Sequence, residues 1–376
     1  MTRSETGMGA QMEIHHSRIP ALDAVRGIAI LMVVATHSLS TTVAVTGSYN
    51  IPAPLFKLFD YGQFGVQLFF VLSGWLMFSL YTGHGDFSQR SYWARRWARI
   101  WPLWIVFVVA TFVFLSNPNP EGNIWLSLAI SIFFLGWLTP NLAAVPTGGL
   151  TIQQEMGHYA LFALFRKKSA AFLAGTVIVG YLSAGLARYL QQQVDPDSVF
   201  GIAINGWLRL ELFNTWPFFL LGGLGLALFR MWSKQGLTGL FPNKVKTPLF
   251  VAVALVLIGL STYSQETPGF FVLGYVIFGV FLALALNAIP GAGEILRSIG
   301  RYSYFMYFFH FWVLRWIEDL YRELDLPGND QTSVMWNVAT LLVIWIVATF
   351  VSWAVGWVSW RILEKPILSA ARKYVH

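Results

Sequence analysis

An arginine and a histidine, Arg26 and His37, bracket the apolar run of DAVRGIAILMVVATH (Asp23–His37). Eleven helical steps of about 100° bring both side chains to one face, about 16 Å apart along the axis. A fixed positive charge can hold an anion there, and an imidazole can take a proton near neutral pH. A second basic stretch, RSYWARRWARIWP (Arg90–Pro102), crowds Arg95, Arg96 and Arg99 into little more than one helical turn. Guanidinium forks match phosphate oxygens, while arginines set between tryptophans also snorkel to lipid headgroups, and the sequence alone leaves both readings open. Glu155, in GGLTIQQEMGHYALFALF, is an acid inside an apolar segment. Such a charge is costly in lipid unless it is paired, so it is a candidate for chemistry; the alternative is a carboxylate capping the start of its own helix. His310, in RYSYFMYFFHFW, shares nearby turns with Ser303, Tyr304 and Tyr307 and reads either as a packed core imidazole or as a second base. Ser73 and Gly74, in FVLSGW, are small enough to let helices approach closely.

The elements that must position these residues are membrane helices. Of 376 residues, 56% are hydrophobic and 11% charged, against about 25% charged in an ordinary soluble domain. The apolar runs are continuous and near 20 residues rather than alternating, which favours an all-α polytopic membrane protein over a barrel. The absence of cysteine excludes disulfides, thiolate metal sites and a cysteine acyl-enzyme. No HExxH-like or acidic ligand pair occurs, and the seven histidines are dispersed, so no metal site is expected. The net charge of +7 comes from basic residues scattered between helices, which argues against a nucleic-acid surface. Residues 1–17 read as a disordered cytoplasmic tail and residues 18–370 as one transmembrane domain.

Spans are expected near 21–42, 61–81, 99–117, 149–165, 170–190, 212–231, 248–264, 269–289, 298–318 and 335–360. The run Ile124–Leu138 is expected to lie along the outer interface or to re-enter. With ten spans and both termini cytoplasmic, only Lys57, Arg188, Arg209, Arg315 and Arg322 of 25 basic residues fall outside, as the positive-inside rule requires. This arrangement puts Arg26 and Arg90–Arg99 near the cytoplasmic surface and places His37 and Glu155 at a shared outer depth.

Six of these stretches, taken in order, resemble the membrane-bound acyltransferase 3 family over nearly the whole chain. They are Arg26 and His37 at an R-x10-H spacing, FFVLSG (Phe69–Gly74), RRWARIWP, LTIQQEMGHYALFA, SYFMYFFH and LEKP (Leu363–Pro366). The resemblance implies transfer of an acyl group, usually acetyl, from cytoplasmic acyl-CoA to a hydroxyl of a carbohydrate-containing acceptor at the outer face, in the cytoplasmic membrane and without a metal. On that reading His37 is the general base and Glu155 orients its imidazole or stabilises the charged form, with His310 as a further catalytic candidate. Arg26, Arg95, Arg96 and Arg99 hold the CoA phosphates. Acceptors in such families include O-antigen, exopolysaccharide, peptidoglycan and macrolide-like small molecules. A flippase or transporter of a lipid-linked glycan is the alternative class, since it too would use intramembrane charges and an outward cavity.

Overall fold

The hydroxyls of the first helix show how this sequence satisfies its own polar groups. Ser38, Thr42 and Thr46 each donate to the carbonyl four residues earlier, at 2.7, 2.8 and 2.7 Å. A buried polar stripe on α1 (Pro20–Thr46) therefore keeps its protons bonded within the helix. The computed structural model describes residues 20–81, 88–114, 123–136, 148–165, 169–195, 198, 215–224, 226, 292–326 and 333–373. The tail at 1–17 and the spans expected at 248–264 and 269–289 lie outside the described residues. The helices that follow α1 are α2 (Ala53–Asp60), α3 (Gly65–Tyr81), α4 (Gln89–Phe114), α5 (Ile124–Ile132), α6 (Gly149–Phe165) and α7 (Ala170–Gln193). Then come α8 (Thr215–Leu224), α9 (Ala292–Glu323), α10 (Val334–Ser359) and α11 (Lys365–Lys373).

The described elements are all helical, as expected. Four stretches among them, Leu22–Thr46, Ala53–Ser79, Gln89–Phe114 and Val334–Ala370, are long and apolar enough to cross a membrane. The chain is read accordingly as an integral membrane protein.

Two glycine contacts lock α1 to α9. A Cβ on Gly27 would lie 2.2 Å from the Leu296 carbonyl oxygen, and one on Gly300 would lie 1.7 Å from that of Asp23. Backbones this close exclude any larger residue, and small residues are what permit such an approach in lipid. From that crossing the two helices run in the same direction, so that His310 comes beside His37. α4 follows α9 in parallel, with the Tyr304 hydroxyl donating to Ile100 O (3.1 Å) and Phe107 packed on Phe308. α10 returns antiparallel, its indoles donating from Trp345 to Leu31 O (3.2 Å) and from Trp353 to Ser298 Oγ (3.1 Å).

The ambiguous run after α4 forms only the nine-residue α5, about 14 Å long against about 30 Å of hydrocarbon. Asn123 caps its start by accepting from the backbone amides of Trp125 and Leu126. Its end is a reversal: Phe134 stands at φ 57°, with Phe134 N–H bonded to Ser131 O and Leu135 N–H to Ile130 O. The Phe134 ring is buried against Trp97 and Trp104; burying a phenyl group contributes about 1.5–3 kcal/mol, enough to offset a left-handed residue. The Trp104 indole and Gln153 Nε2 both donate to Ser131 O, and Gln153 Oε1 accepts from Gly136 N–H.

α3 and α6 run in the same direction, since Phe70 meets His158 and Phe78 meets Phe162. α4 crosses once between them, so α5 makes no net crossing. A topology reporter fused at position 168 is therefore expected on the side of the N-terminus, and one at 198 on the opposite side. An extracytoplasmic reporter active at 168 but silent at 198 would overturn this path.

Candidate active site

α1, α3, α4, α6 and α9 line a partly open cavity of about 60 Å³ that sets charged side chains among apolar ones. Three of the four expected arginines line it: Arg26, Arg96 and Arg99. Arg26 is held at 3.0 Å by Asp23, three residues earlier and buried under Gly300. Arg96 is 5% exposed, with its guanidinium 5.3 Å from the centre of the Tyr159 ring, a cation–π contact that a planar, weakly hydrated cation can make inside a bundle. Arg99 stands one turn further along α4. Like charges converging on one small space need an anion to balance them, and phosphate suits their forks.

The fourth arginine does not join this group. Arg95 is exposed and donates to Ser91 Oγ at 3.0 Å. It stands one residue before Arg96, and its guanidinium lies back along its own helix.

Glu155 is half-buried in the wall of the cavity. Its Oε1 accepts two hydroxyl protons, from Ser73 (2.6 Å) and from Tyr159 (2.5 Å). Its Oε2 has no hydrogen-bond partner among the described residues. Three more hydroxyls of the wall are turned to the backbone: Ser303 donates to Gly300 O (2.9 Å), Tyr304 to Ile100 O (3.1 Å) and Tyr307 to Gly148 O (3.2 Å).

His37 lies elsewhere, at the far end of Arg26's helix face. Its ring is 5.3 Å from that of His310 and 4.5 Å from that of Phe311. His310 is fully buried, and Nδ1 donates to Met306 O at 2.8 Å. A carbonyl can only accept, so this bond puts the His310 proton on Nδ1 and leaves Nε2 as a buried acceptor with no partner among the described residues. Tyr307 joins the two regions, lining the cavity on one side and lying 6.2 Å from His310 on the other.

The expected pairing of Glu155 with His37 is not formed. It rested on α6 starting at the outer surface, which would put both groups at one depth. Gly148 instead sits inside the bundle, at φ +75°, where a Cβ would meet Phe311 at 2.8 Å. α6 thus begins at the level of His37, and Glu155 lies about two turns deeper, among the arginines.

Sequence reasoning also missed the partners. Asp23 at i−3 from Arg26 and Tyr159 at i+4 from Glu155 were the local signals available. Ser73, read only as a packing residue, bonds the acid through its hydroxyl, while Gly74 beside it does the close packing: a Cβ there would come within 1.8 Å of Phe219 O.

With this geometry in view, comparison with known proteins is informative. A sequence family described as an acyltransferase domain matches residues 19–361. The chain is 22% identical over 381 residues to the acyltransferase MdmB of Streptomyces mycarofaciens, covering 93% of this chain and 92% of that one. It is 24% identical over 413 residues to the putative peptidoglycan O-acetyltransferase YrhL of Bacillus subtilis, covering 94% and 55%. To the peptidoglycan O-acetyltransferase OatA of Listeria monocytogenes it is 23% identical over 388 residues, covering 93% and 56%. The chain thus spans nearly all of the first relative and about half of the other two. No solved structure matches it.

Proposed function

Because the chain belongs to the acyltransferase 3 family, we propose that this membrane enzyme moves an acyl group, acetyl by preference, from acyl-CoA to a hydroxyl of a carbohydrate-containing acceptor. The donor enters at the arginine end of the bundle, and the acceptor meets it at the far end. In the ten-span arrangement with both termini cytoplasmic, these are the cytoplasmic and outer faces of the cytoplasmic membrane. The observation that carries the reading is the division of one helix face between Arg26, in a cavity with Arg96 and Arg99, and His37, beside His310. Coenzyme A has the same polarity, with phosphates at one end and a thioester at the other. The acetyl transfer named for the two peptidoglycan-modifying relatives supports acetyl as the group moved.

In this mechanism the acceptor hydroxyl attacks the thioester carbonyl while His37 takes its proton. The carbon–sulfur bond breaks, the proton passes to the departing sulfur, and the products are an ester and free CoA thiol. His310, with its tautomer set by Met306, supports the His37 ring from the neighbouring helix. The reading is tested by supplying purified protein in lipid vesicles with acetyl-labelled CoA and muropeptide glycan chains. Label appearing as an alkali-labile ester on the glycan supports it; accumulation of unmodified glycan across the membrane without ester would point to a transporter.

A further inference from the structure

The cavity offers a ligand more than positive charge. The hydroxyl protons of Ser303, Tyr304 and Tyr307 are committed to backbone carbonyls, and those of Ser73 and Tyr159 to one oxygen of Glu155. What the wall leaves for a ligand is a set of guanidinium donors, the Thr151 hydroxyl and, beside the arginines, a carboxylate oxygen with no partner among the described residues. Two donors on Oε1 fix the rotation of the carboxylate and aim Oε2. Bonds to an ionised acceptor are roughly twice as strong as neutral ones, so Oε2 is the strongest unfilled acceptor of this wall.

A ligand that matches this wall carries anionic oxygens and, a short way from them, an N–H or O–H donor. An acyl phosphate, a dianion near neutral pH, lacks that second feature, and a hydrocarbon tail offers no donor at all. The pantetheine arm of coenzyme A has it, with a hydroxyl and an amide N–H next to the pyrophosphate. We propose that Glu155 Oε2 accepts a hydrogen bond from this part of the donor's arm and holds it on the path from the arginines past Tyr307 to His37. Glu155 is then a donor-recognition residue, held in place by Ser73 and Tyr159, and takes no part in orienting the imidazole. The proposal rests on acyl-CoA being the donor, as set out above.

The test compares acetyl-CoA with two analogues, one with the pantoyl hydroxyl replaced by hydrogen and one with the adjacent amide nitrogen methylated. Affinity is measured on the full chain in lipid nanodiscs. The wild type is expected to lose about tenfold to a hundredfold in affinity for at least one analogue. In Glu155→Leu the parent binds more weakly, but the analogue is no worse than the parent, because the acceptor is gone. Glu155→Gln keeps a neutral acceptor of the same shape and should show a smaller penalty; it decides the matter if the leucine variant fails to fold. Equal analogue penalties in wild type and variants overturn the proposal, as does a loss of turnover in Glu155→Gln with unchanged dependence on the analogue. Wild-type protein that binds no acetyl-CoA at all removes the donor assignment itself, a result distinguishable from either.

Discussion

His37→Ala is expected to lower acyl transfer per folded molecule by about 10²- to 10⁴-fold, the usual cost of losing a general base, while leaving acetyl-CoA binding nearly unchanged. The two effects separate because the residues they depend on are separate. His37 touches His310 and Phe311 and has no place in the wall of the arginine cavity. A histidine that merely packed the bundle would behave in the opposite way, lowering the melting temperature and the folded yield while activity per folded molecule survived. His37→Gln sharpens the comparison, since it keeps a polar group of related size but offers no base near pH 7. Transfer normalised to folded protein, paired with donor binding, is the measurement. A fully active glutamine variant would sink the base role, and retained turnover in the alanine variant would move it to His310, whose Nε2 is an acceptor with no partner among the described residues.

The second large effect falls on binding. Arg96→Gln combined with Arg99→Gln is expected to weaken acetyl-CoA binding by about 10²-fold or more, since each charge-assisted bond to phosphate is worth about 1.5–3 kcal/mol. Arg95→Gln is the internal control. It removes the same charge from the same helix, but its guanidinium bonds Ser91 and is exposed outside the cavity. If the cluster were only an orientation signal or a headgroup anchor, the three positions would be nearly equivalent, and the variants would change insertion rather than affinity. Titration of correctly inserted protein with acetyl-CoA at fixed salt separates these cases. A double variant with wild-type affinity, or an Arg95 variant that matches its loss, removes the phosphate role.

Much of this arrangement was legible because it depends on helical period. The eleven-residue spacing of Arg26 and His37 put them on one face and half a membrane apart whatever the neighbours did. The serine–glycine pair at 73–74 was visible as small residues, although the Phe219 backbone it admits was not. The contacts that depend on where a helix starts were not legible. Hydropathy places Gly149 at a membrane surface, but Gln153 and Trp104 tie the end of α5 down into the bundle, so α6 begins inside and carries Glu155 past His37 to Ser73. Rotation was equally hidden. Arg95 and Arg96 are adjacent in sequence, yet one lines the cavity and the other lies on its own helix. A single sequence fixes periodicity along a helix; the depth and roll of that helix are set by partners distant in the chain.

The central claim is that one chain joins an acyl-CoA on the arginine side to a hydroxyl on the histidine side. It is tested most directly in sealed vesicles holding oriented protein, with labelled acetyl-CoA confined to the face bearing the N-terminus and a glycan acceptor confined to the other. The account predicts acetyl ester on the sequestered glycan, matched one for one by free thiol on the donor side; the protein contributes no thiol background because it has no cysteine. Ester formed only when donor and acceptor share one face, or thiol released with no ester on the far side, would contradict it.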